Sequence, residues 1–209
     1  MTMTETLSMD VKSIKKQLNN ELGDKRYTHT LGVMDTAMLL ASCYGISAEK
    51  AQLAGLLHDC AKKMKDKDSI SLCETGHVEI TDVEKRNTFL LHAKAGAELA
   101  RTKYHVDDEE ILSAIRCHTT GKPDMTILDK IIFIADYIEP NRSHSDRLPY
   151  LRKLAFQDLD ETLVQIIHDT LLYLEEKGGE IDPMTKETYD YYIKERNYYD
   201  FKRNCKNCY

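Results

Sequence analysis

The sequence has little proline or glycine and no long apolar run. Only four prolines and nine glycines occur among 209 residues, and no segment is of low complexity. This composition excludes a linker-rich or disordered chain. The longest apolar stretches, such as residues 131–135, are far shorter than the roughly 20 residues that a membrane-spanning helix needs. The sequence therefore predicts a compact chain with no membrane partner.

The sequence also has no excess of basic residues, and we expect no secretory leader. The formal net charge is −6, which argues against a general nucleic-acid-binding surface. Residues 1–10 contain no lysine or arginine and no apolar run of signal-peptide length. We therefore expect a soluble, cytoplasmic protein that binds no nucleic acid.

The six cysteines lack the secretory context of a disulfide framework. Cys205 and Cys208 form one C-x-x-C pair without the second pair that a metal site would need, and we interpret them as part of a reduced tail. The other four lie singly in apolar or helical surroundings, and we expect them to be small buried hydrophobes. They are Cys43, Cys60, Cys73 and Cys117.

Helical periodicity extends through almost the whole chain. Apolar residues recur at spacings of three and four, as at Leu31, Met34 and Met38. No alternating strand pattern persists, and no internal repeat of 20 to 50 residues occurs. We expect an all-α fold, a single bundle of roughly eight to ten helices. Residues 1–9 should be a flexible end, residues 10–192 the helical domain and residues 193–209 a terminal helix or tail.

Two helix starts can be predicted from capping residues. Ser47 can cap a helix that runs to about residue 61. Asp107, with Glu110 three residues later, resembles a capping arrangement before Ile111.

Histidine or aspartate occurs at five places on predicted apolar helical faces or at helix ends. A polar side chain there is costly unless it is paired, and the core of a helical bundle can gather such residues into one metal site. Imidazole and carboxylate suit iron, manganese, cobalt, nickel or zinc rather than calcium. One histidine alone is more often a satisfied core residue, so the prediction depends on the whole set. The five places are His29, His58-Asp59, His92, His118 and Asp136.

The adjacent pair His58-Asp59 indicates how two ions could be held. Neighbouring helical residues point about 100° apart, so both reach one ion only if it lies between their directions. The second oxygen of Asp59 can then meet another ion. Lys62 would bring an ammonium to the same face, where it would repel metals unless an anion such as phosphate lay between them. A second pair, His168-Asp169, has no such surroundings, so the dipeptide by itself is not specific.

Longer motifs surround these residues. They are R-Y-T-H at 26–29, G-L-L-H-D-C-A-K at 55–62, L-H-A-K-A-G-A at 91–97, A-I-R-C-H-T-T-G at 114–121 and A-D-Y-I-E-P-N-R at 135–142. With them the chain resembles the HD-domain metal-dependent phosphohydrolase superfamily, and within it the YqeK-like family of bacterial symmetrical diadenosine tetraphosphate hydrolases. The resemblance covers about residues 20–185. The H-T-T-G and A-D-Y-I-E-P-N-R stretches are its most specific parts.

The resemblance implies a helical fold with a dinuclear centre, in which iron is the most usual metal. The residues carried over for the first metal are His29, His58, Asp59 and Asp136. Asp59 would bridge to a second metal bound by His92 and His118.

The implied activity is cleavage of diadenosine tetraphosphate into two ADP by a metal-activated hydroxide. The partner is then a small-molecule nucleotide, with ADP or GDP as product-like ligands. We assign catalytic roles to Asp59, Lys62 and Arg142. The candidates for phosphate binding are Arg26, Lys62, Thr119, Thr120, Gly121 and Arg142.

Two of these assignments have a plain structural alternative. The turn Thr119-Thr120-Gly121 could offer hydroxyls and N–H groups to phosphate, or it could simply end a helix. Asp129, seven residues before Asp136, could orient a ligand histidine. A charge at the amino end of a helix is the slightly favoured alternative for Asp129.

Three other functions compete with this one. Another HD-type phosphohydrolase could act on nucleoside monophosphates, deoxynucleotides or guanosine alarmones, and the metal pattern alone does not separate these substrates. A non-catalytic nucleotide-binding regulator is disfavoured by the complete ligand set and Lys62. A purely structural helical protein would leave five buried polar positions unexplained. An apolar helical face could also support a homodimer.

Overall fold

The segments in which apolar residues recur every three or four positions are helical in the structure. The computed structural model describes the backbone of residues 3–206 and the side chains of residues 11–195. In that part of the chain there are eleven α-helices, a 3-10 helix at Thr88–Leu90 and no strand. The α-helices are α1 Met3–Leu22, α2 Asp24–Cys43, α3 Ala48–Leu57, α4 Asp66–Thr75, α5 Asp82–Arg86, α6 Leu91–Lys103, α7 Glu109–Cys117, α8 Ile127–Ile138, α9 Leu148–Leu154, α10 Leu159–Glu176 and α11 Pro183–Lys206.

The all-α prediction is confirmed, with one helix more than the expected upper number. Helix α5 has five residues, too few for a periodic pattern, and a capping box between Thr81 and Glu84 stabilises its start. Helix α1 begins inside the segment expected to be flexible, and α11 continues through residue 193. The domain bounds 10–192 stay a prediction, and the side chains of Cys205 and Cys208 lie outside the described residues.

Of the two predicted caps, one is confirmed and the other is displaced by a residue. The Ser47 hydroxyl accepts a hydrogen bond from the Lys50 N–H at 3.1 Å. Helix α7 is capped by Asp108 rather than Asp107, because Asp108 Oδ1 is the oxygen that accepts from the Glu110 N–H at 2.9 Å. In each helix the capping side chain accepts from at least one first-turn N–H that has no partner within the helix.

The main core lies between α2, α3, α7 and α8. Leu40, Leu56, Ile115 and Ile132 are fully buried there. Each such side chain contributes about 1.5–3 kcal/mol to stability by leaving water. These four helices, with α6, also carry the histidines and aspartates predicted to bind metal. No helix of the described residues is sufficiently long and apolar to span a membrane.

Three of the four cysteines expected in the interior are buried. They are Cys60, Cys73 and Cys117. The prediction was wrong for Cys43, which is exposed. Cys43 is the last residue of α2, where the helix runs out of the core.

Helices α2 and α3 meet at a glycine. A Cβ atom added to Gly55 would lie 2.9 Å from the Met34 Cα and 3.2 Å from the Met34 nitrogen. These are backbone atoms of a buried helix, so they cannot move aside without shifting α2. The absence of a side chain at Gly55 is therefore what allows the two helices to pack this closely.

The Gly55→Ala variant should lower the free energy of unfolding by about 1–3 kcal/mol, because the added methyl overpacks this contact. Denaturant unfolding would measure the change. Gly179→Ala is the matched control, since its Cβ would meet Leu174 only at an ordinary 3.6 Å. Equal effects of the two substitutions would contradict the close packing at Gly55.

Candidate metal centre

The five predicted places come together at one end of the main core. His29 lies in the second turn of α2, and His58 and His118 are the C-cap residues of α3 and α7. His92 is the second residue of α6, and Asp136 lies in the last turn of α8. The residues with less than a tenth of their surface exposed are His29, His58, Asp59, His92 and His118.

The Asp59 carboxylate lies between two pairs of histidines. Its Oδ2 is 3.8 Å from His29 Nε2 and 3.5 Å from His58 Nε2. Its Oδ1 is 3.3 Å from His92 Nε2 and 3.8 Å from His118 Nε2. The two oxygens thus face different imidazole pairs, as a bridging carboxylate requires.

Asp136 joins the first pair of histidines. Its Oδ1 is 3.0 Å from His29 Nε2 and 3.9 Å from His58 Nε2. All six predicted ligands belong to three overlapping sets of potential metal donors, with the atoms of each set within 4.8 Å of one another. The sets are His29, His58 and Asp59; His58, His118 and Asp136; and Asp59, His92 and His118.

Three of these donor atoms are buried without a hydrogen-bond partner among the described residues: His29 Nε2, His58 Nε2 and Asp59 Oδ1. An unsatisfied buried polar atom costs roughly 1–3 kcal/mol. A cation among them would remove that cost. The nitrogen and oxygen donors therefore fit a divalent transition metal.

Main-chain carbonyls orient three of the histidines. In each case Nδ1 lies within hydrogen-bond distance of the carbonyl three residues earlier. A carbonyl can only accept, so Nδ1 carries the proton and the Nε2 lone pair faces the cluster. The pairs are His58 with Gly55 at 2.7 Å, His92 with Phe89 at 2.6 Å and His118 with Ile115 at 2.7 Å.

Burial and neighbouring charges keep two of the imidazoles neutral. Burial, together with the Lys62 ammonium, lowers the pKa of His92 to about 4. Burial, together with the other histidines, lowers the pKa of His118 to about 3. Since metals bind neutral imidazole, both side chains are in the ligand form at neutral pH. For His58, burial lowers the pKa, but the nearby carboxylates outweigh it and the net shift is upward.

Both carboxylates are held in the charged form. Burial raises the pKa of Asp59, but His58, Lys62 and His92 outweigh it and hold the pKa well below its ordinary value. For Asp136 burial acts in the same direction, and the contact with His29 leads the groups that lower its pKa instead. The centre therefore carries two negative charges in the interior.

Lys62 lies at the centre as predicted, but on a turn after α3 rather than on the helix itself. Helix α3 ends at Leu57, not near residue 61, and a tight turn follows in which the Lys62 N–H donates to the Asp59 carbonyl at 2.9 Å. Residues three apart eclipse in such a turn, so the predicted neighbourhood survives. The Lys62 Nζ is 2.9 Å from His92 Nε2 and 3.9 Å from the centre of the exposed Phe89 ring.

Two arginines contact the carboxylates. Arg26 Nη1 is 2.8 Å from Asp59 Oδ2, and Arg142 Nη2 is 2.6 Å from Asp136 Oδ1. About a third of each arginine side chain is exposed. Both line a cavity of about 750 Å³ that also borders His29. The site thus combines partly exposed guanidinium groups, which suit phosphate oxygens, with the buried donors.

The same cavity is lined by Lys63, Glu139 and Asn141, which sequence reasoning did not single out. The signal for Lys63 was its position next to Lys62. The other two belong to the A-D-Y-I-E-P-N-R stretch.

The predicted phosphate-binding turn is only partly at the centre. Thr119 Oγ1 lies 3.3 Å from His92 Nε2. The Gly121 N–H donates to the Cys117 carbonyl at 2.8 Å, so it is used to end α7 rather than offered to phosphate. The Thr120 hydroxyl donates to the Gly121 carbonyl. Thr120 and Gly121 therefore fit the helix-stop alternative, and Thr119 fits the functional one.

Asp129 also fits its structural alternative, a charge at the amino end of a helix. Its Oδ2 accepts a hydrogen bond from the Thr126 N–H at 2.9 Å and lies 3.1 Å from Lys122 Nζ. The Thr126 hydroxyl accepts from the Asp129 N–H, which completes a capping box. These contacts hold the amino end of α8, whereas the ring nitrogens of His58, His92 and His118 that face away from the cluster are held by main-chain carbonyls.

Comparison with known proteins gives a family for this arrangement. The model of the HD domain family matches residues 26–141. The symmetrical bis(5'-nucleosyl)-tetraphosphatases of Bacillus subtilis and Halalkalibacterium halodurans are 39% and 40% identical to the chain. Each alignment covers 84% of this chain, with 94% and 92% of the respective relative.

A solved structure is similar over nearly the same length. It is the crystal structure described as a predicted HD superfamily hydrolase involved in NAD metabolism from Clostridium acetobutylicum. It is 45% identical, with a TM-score of 0.85, and the match covers 88% of this chain and 97% of that one. The family match spans every residue of the metal centre and more than half of the chain, so the protein belongs to the HD domain family.

Proposed function

We propose that this protein is a symmetrical bis(5'-nucleosyl)-tetraphosphatase that hydrolyses diadenosine tetraphosphate to two ADP. The observation that carries the proposal is the Asp59 carboxylate, whose two oxygens face different histidine pairs beside a cavity lined by arginine and lysine. The names of the Bacillus and Halalkalibacterium relatives support the substrate. ADP or GDP would then bind as product-like ligands, and the cytoplasm is the proposed location.

Two divalent or trivalent metal ions belong to this proposal. His29, His58, Asp59 and Asp136 would hold one, and Asp59, His92 and His118 the other. Iron is the first choice, and manganese, cobalt, nickel and zinc are the alternatives that the nitrogen and oxygen donors allow. When bound, such ions supply a nucleophilic water of lowered pKa and compensate phosphoryl charge.

The side chains have separate tasks in this reaction. The carbonyl-bound histidines keep their Nε2 lone pairs directed inward, and Asp59 remains ionised at neutral pH. Lys62 lies beside the second histidine pair, whereas Arg142 lies beside Asp136. They can therefore contact phosphates from both halves of the centre. Arg26, which lines the cavity, can bind a further phosphate of the same substrate.

The bond changes follow from the symmetry of the products. A water oxygen bonds to one of the two inner phosphorus atoms, and the central P–O–P bridge breaks. One half leaves as ADP with the bridging oxygen, and the other becomes ADP by gaining the water oxygen. The proposal differs here from enzymes that attack an outer phosphorus and release AMP and ATP.

The rival functions have less support. The Bacillus and Halalkalibacterium relatives carry the tetraphosphatase name, and the Clostridium structure carries a hydrolase description. A non-catalytic regulator would not need six converging donors together with Lys62.

Product analysis tests the reaction. Metal-loaded protein incubated with diadenosine tetraphosphate should give ADP alone, and His58→Ala should give no product because it removes a central donor. Separation of the nucleotides by ion-exchange chromatography would identify them. Formation of AMP and ATP would exclude the symmetrical reaction.

Metal analysis tests the bridge. The wild-type protein should hold about two ions per chain, and Asp59→Ala should lose both because its carboxylate faces both histidine pairs. His92→Ala should lose mainly the ion of its own pair. Elemental analysis after dialysis would count them, and retention of both ions by Asp59→Ala would refute the bridging role.

Lys62 should act on the reaction and not on metal retention. The Lys62→Met variant should lower kcat/KM about 100-fold, by loss of a cation that stabilises phosphoryl charge. Its metal affinity should stay equal or rise, because a repelling cation next to His92 is gone. The control is Lys85→Met, because Lys85 is an exposed lysine that pairs with Asp82 on the surface. Weaker metal binding in Lys62→Met would contradict this assignment.

A further inference from the structure

His29 differs from the other histidines of the centre in how its ring is held. His58 and His118 are C-caps, where the last main-chain carbonyls of a helix have no helical partner, and His92 Nδ1 meets the carbonyl of Phe89, which lies in the 3-10 helix before α6. His29 lies inside α2, where the carbonyls are used by the helix itself. It therefore needs an acceptor from another part of the chain.

That acceptor is Glu139, 110 residues away in sequence. Its Oε1 lies 3.1 Å from His29 Nδ1. Glu139 is the C-cap of α8 and is 1% exposed, so its carboxylate is as buried as that of Asp59. Asp136, which faces the Nε2 side of the same ring, comes from the turn just before it.

The other oxygen of Glu139 is held by Asn141. The Asn141 main-chain N–H donates to Oε2 at 2.7 Å, and its side-chain amide donates at 2.9 Å. Both carboxylate oxygens thus act as acceptors. An amide in the same place offers one acceptor and one donor, so it could satisfy either His29 or Asn141 but not both.

The structure makes room for this carboxylate at Gly32. A Cβ atom added to Gly32 would collide with Glu139 Oε2, and it would lie only 3.1 Å from the Glu139 Cδ. Gly32 is one turn after His29 on the same helix. The backbone of α2 therefore accommodates the carboxylate directly beside the histidine that it contacts.

The loop that carries Glu139 is fixed from α9. Arg152 Nε donates to the Ile138 carbonyl at 2.8 Å, and its Nη2 donates to the carbonyls of Glu139 and Arg142 at 2.8 and 2.9 Å. The position of the carboxylate is thus set by a side chain outside the metal centre. Arg142, which contacts Asp136, lies on the same loop.

We propose that Glu139 is a positioning residue that fixes the ring orientation of His29, and that Gly32 is required to admit it. With Nδ1 held by the Glu139 carboxylate, Nε2 of the same ring faces Asp59 and Asp136, where a metal ion would lie. Such outer partners also raise the basicity of a ligand histidine. The inference rests on the proposed metal centre but not on its substrate.

Manganese binding is the first test. Glu139→Gln and Gly32→Ala should each weaken Mn²⁺ affinity about 10- to 100-fold, as loss of an outer partner does, while the folded structure is retained. Calorimetric titration would give the affinities, and circular dichroism would report folding. Gly32→Ala leaves Glu139 in the chain, so agreement between the two variants assigns the effect to the contact.

The matched control is Glu84→Gln. Glu84 is also a buried carboxylate, with Oε2 accepting from the Thr81 N–H and the Lys94 ammonium, away from the histidines. It should lose stability but keep wild-type Mn²⁺ affinity. Unchanged affinity in both Glu139→Gln and Gly32→Ala, or an equal loss in Glu84→Gln, would overturn the proposal.

The Mn²⁺ titrations contain no nucleotide, so their outcome does not depend on the substrate. Products other than ADP from the wild-type protein would refute only the proposed function. Unchanged Mn²⁺ affinity in both Glu139→Gln and Gly32→Ala would refute only the positioning role.

Discussion

The charge of Asp59 is the constraint on which the centre depends. A carboxylate that is 2% exposed is strongly disfavoured unless opposite charges or hydrogen-bond donors surround it. Here Arg26 contacts one oxygen, while Lys62 and His92 approach the other. Helices α2, α3 and α6 must therefore keep their relative positions for the carboxylate to stay ionised. Gly55, which allows α2 and α3 to touch, contributes to that geometry from the apolar side of the bundle.

Helix ends fix the orientation of two of the histidine rings. A helix that stops at a histidine leaves its last carbonyls without a ladder partner, and the imidazole of that residue can satisfy one of them. His58 and His118 both use this local solution, so their orientation is encoded within four residues of sequence. His29 is oriented by a contact across the fold, which explains why one more buried carboxylate is found near the centre than metal binding alone requires.

The sequence was sufficient to predict the all-helical class and the residues that converge, because apolar spacing and an ordered set of histidines and aspartates are local signals. It did not reveal features that depend on how a helix terminates. Helix α3 ends at Leu57, and the Gly121 N–H donates to the Cys117 carbonyl. Both features depend on backbone hydrogen bonds, which the pattern of side chains does not specify. The pairing of His29 with Glu139 was equally inaccessible, since it depends on the packing of α2 against the end of α8.

Arg26, Arg142 and Lys62 contact the same atoms that are suited to metal: Asp59 Oδ2, Asp136 Oδ1 and His92 Nε2. The single lone pair of His92 Nε2 can serve either Lys62 or a metal ion, and an ion beside either carboxylate oxygen would repel the neighbouring guanidinium, so metal binding would displace these side chains. The three displaced side chains would then be available to a polyphosphate. Metal binding would in this way raise the positive charge at the nucleotide site by two routes. The ions add charge themselves, and the arginines and the lysine that they release add more.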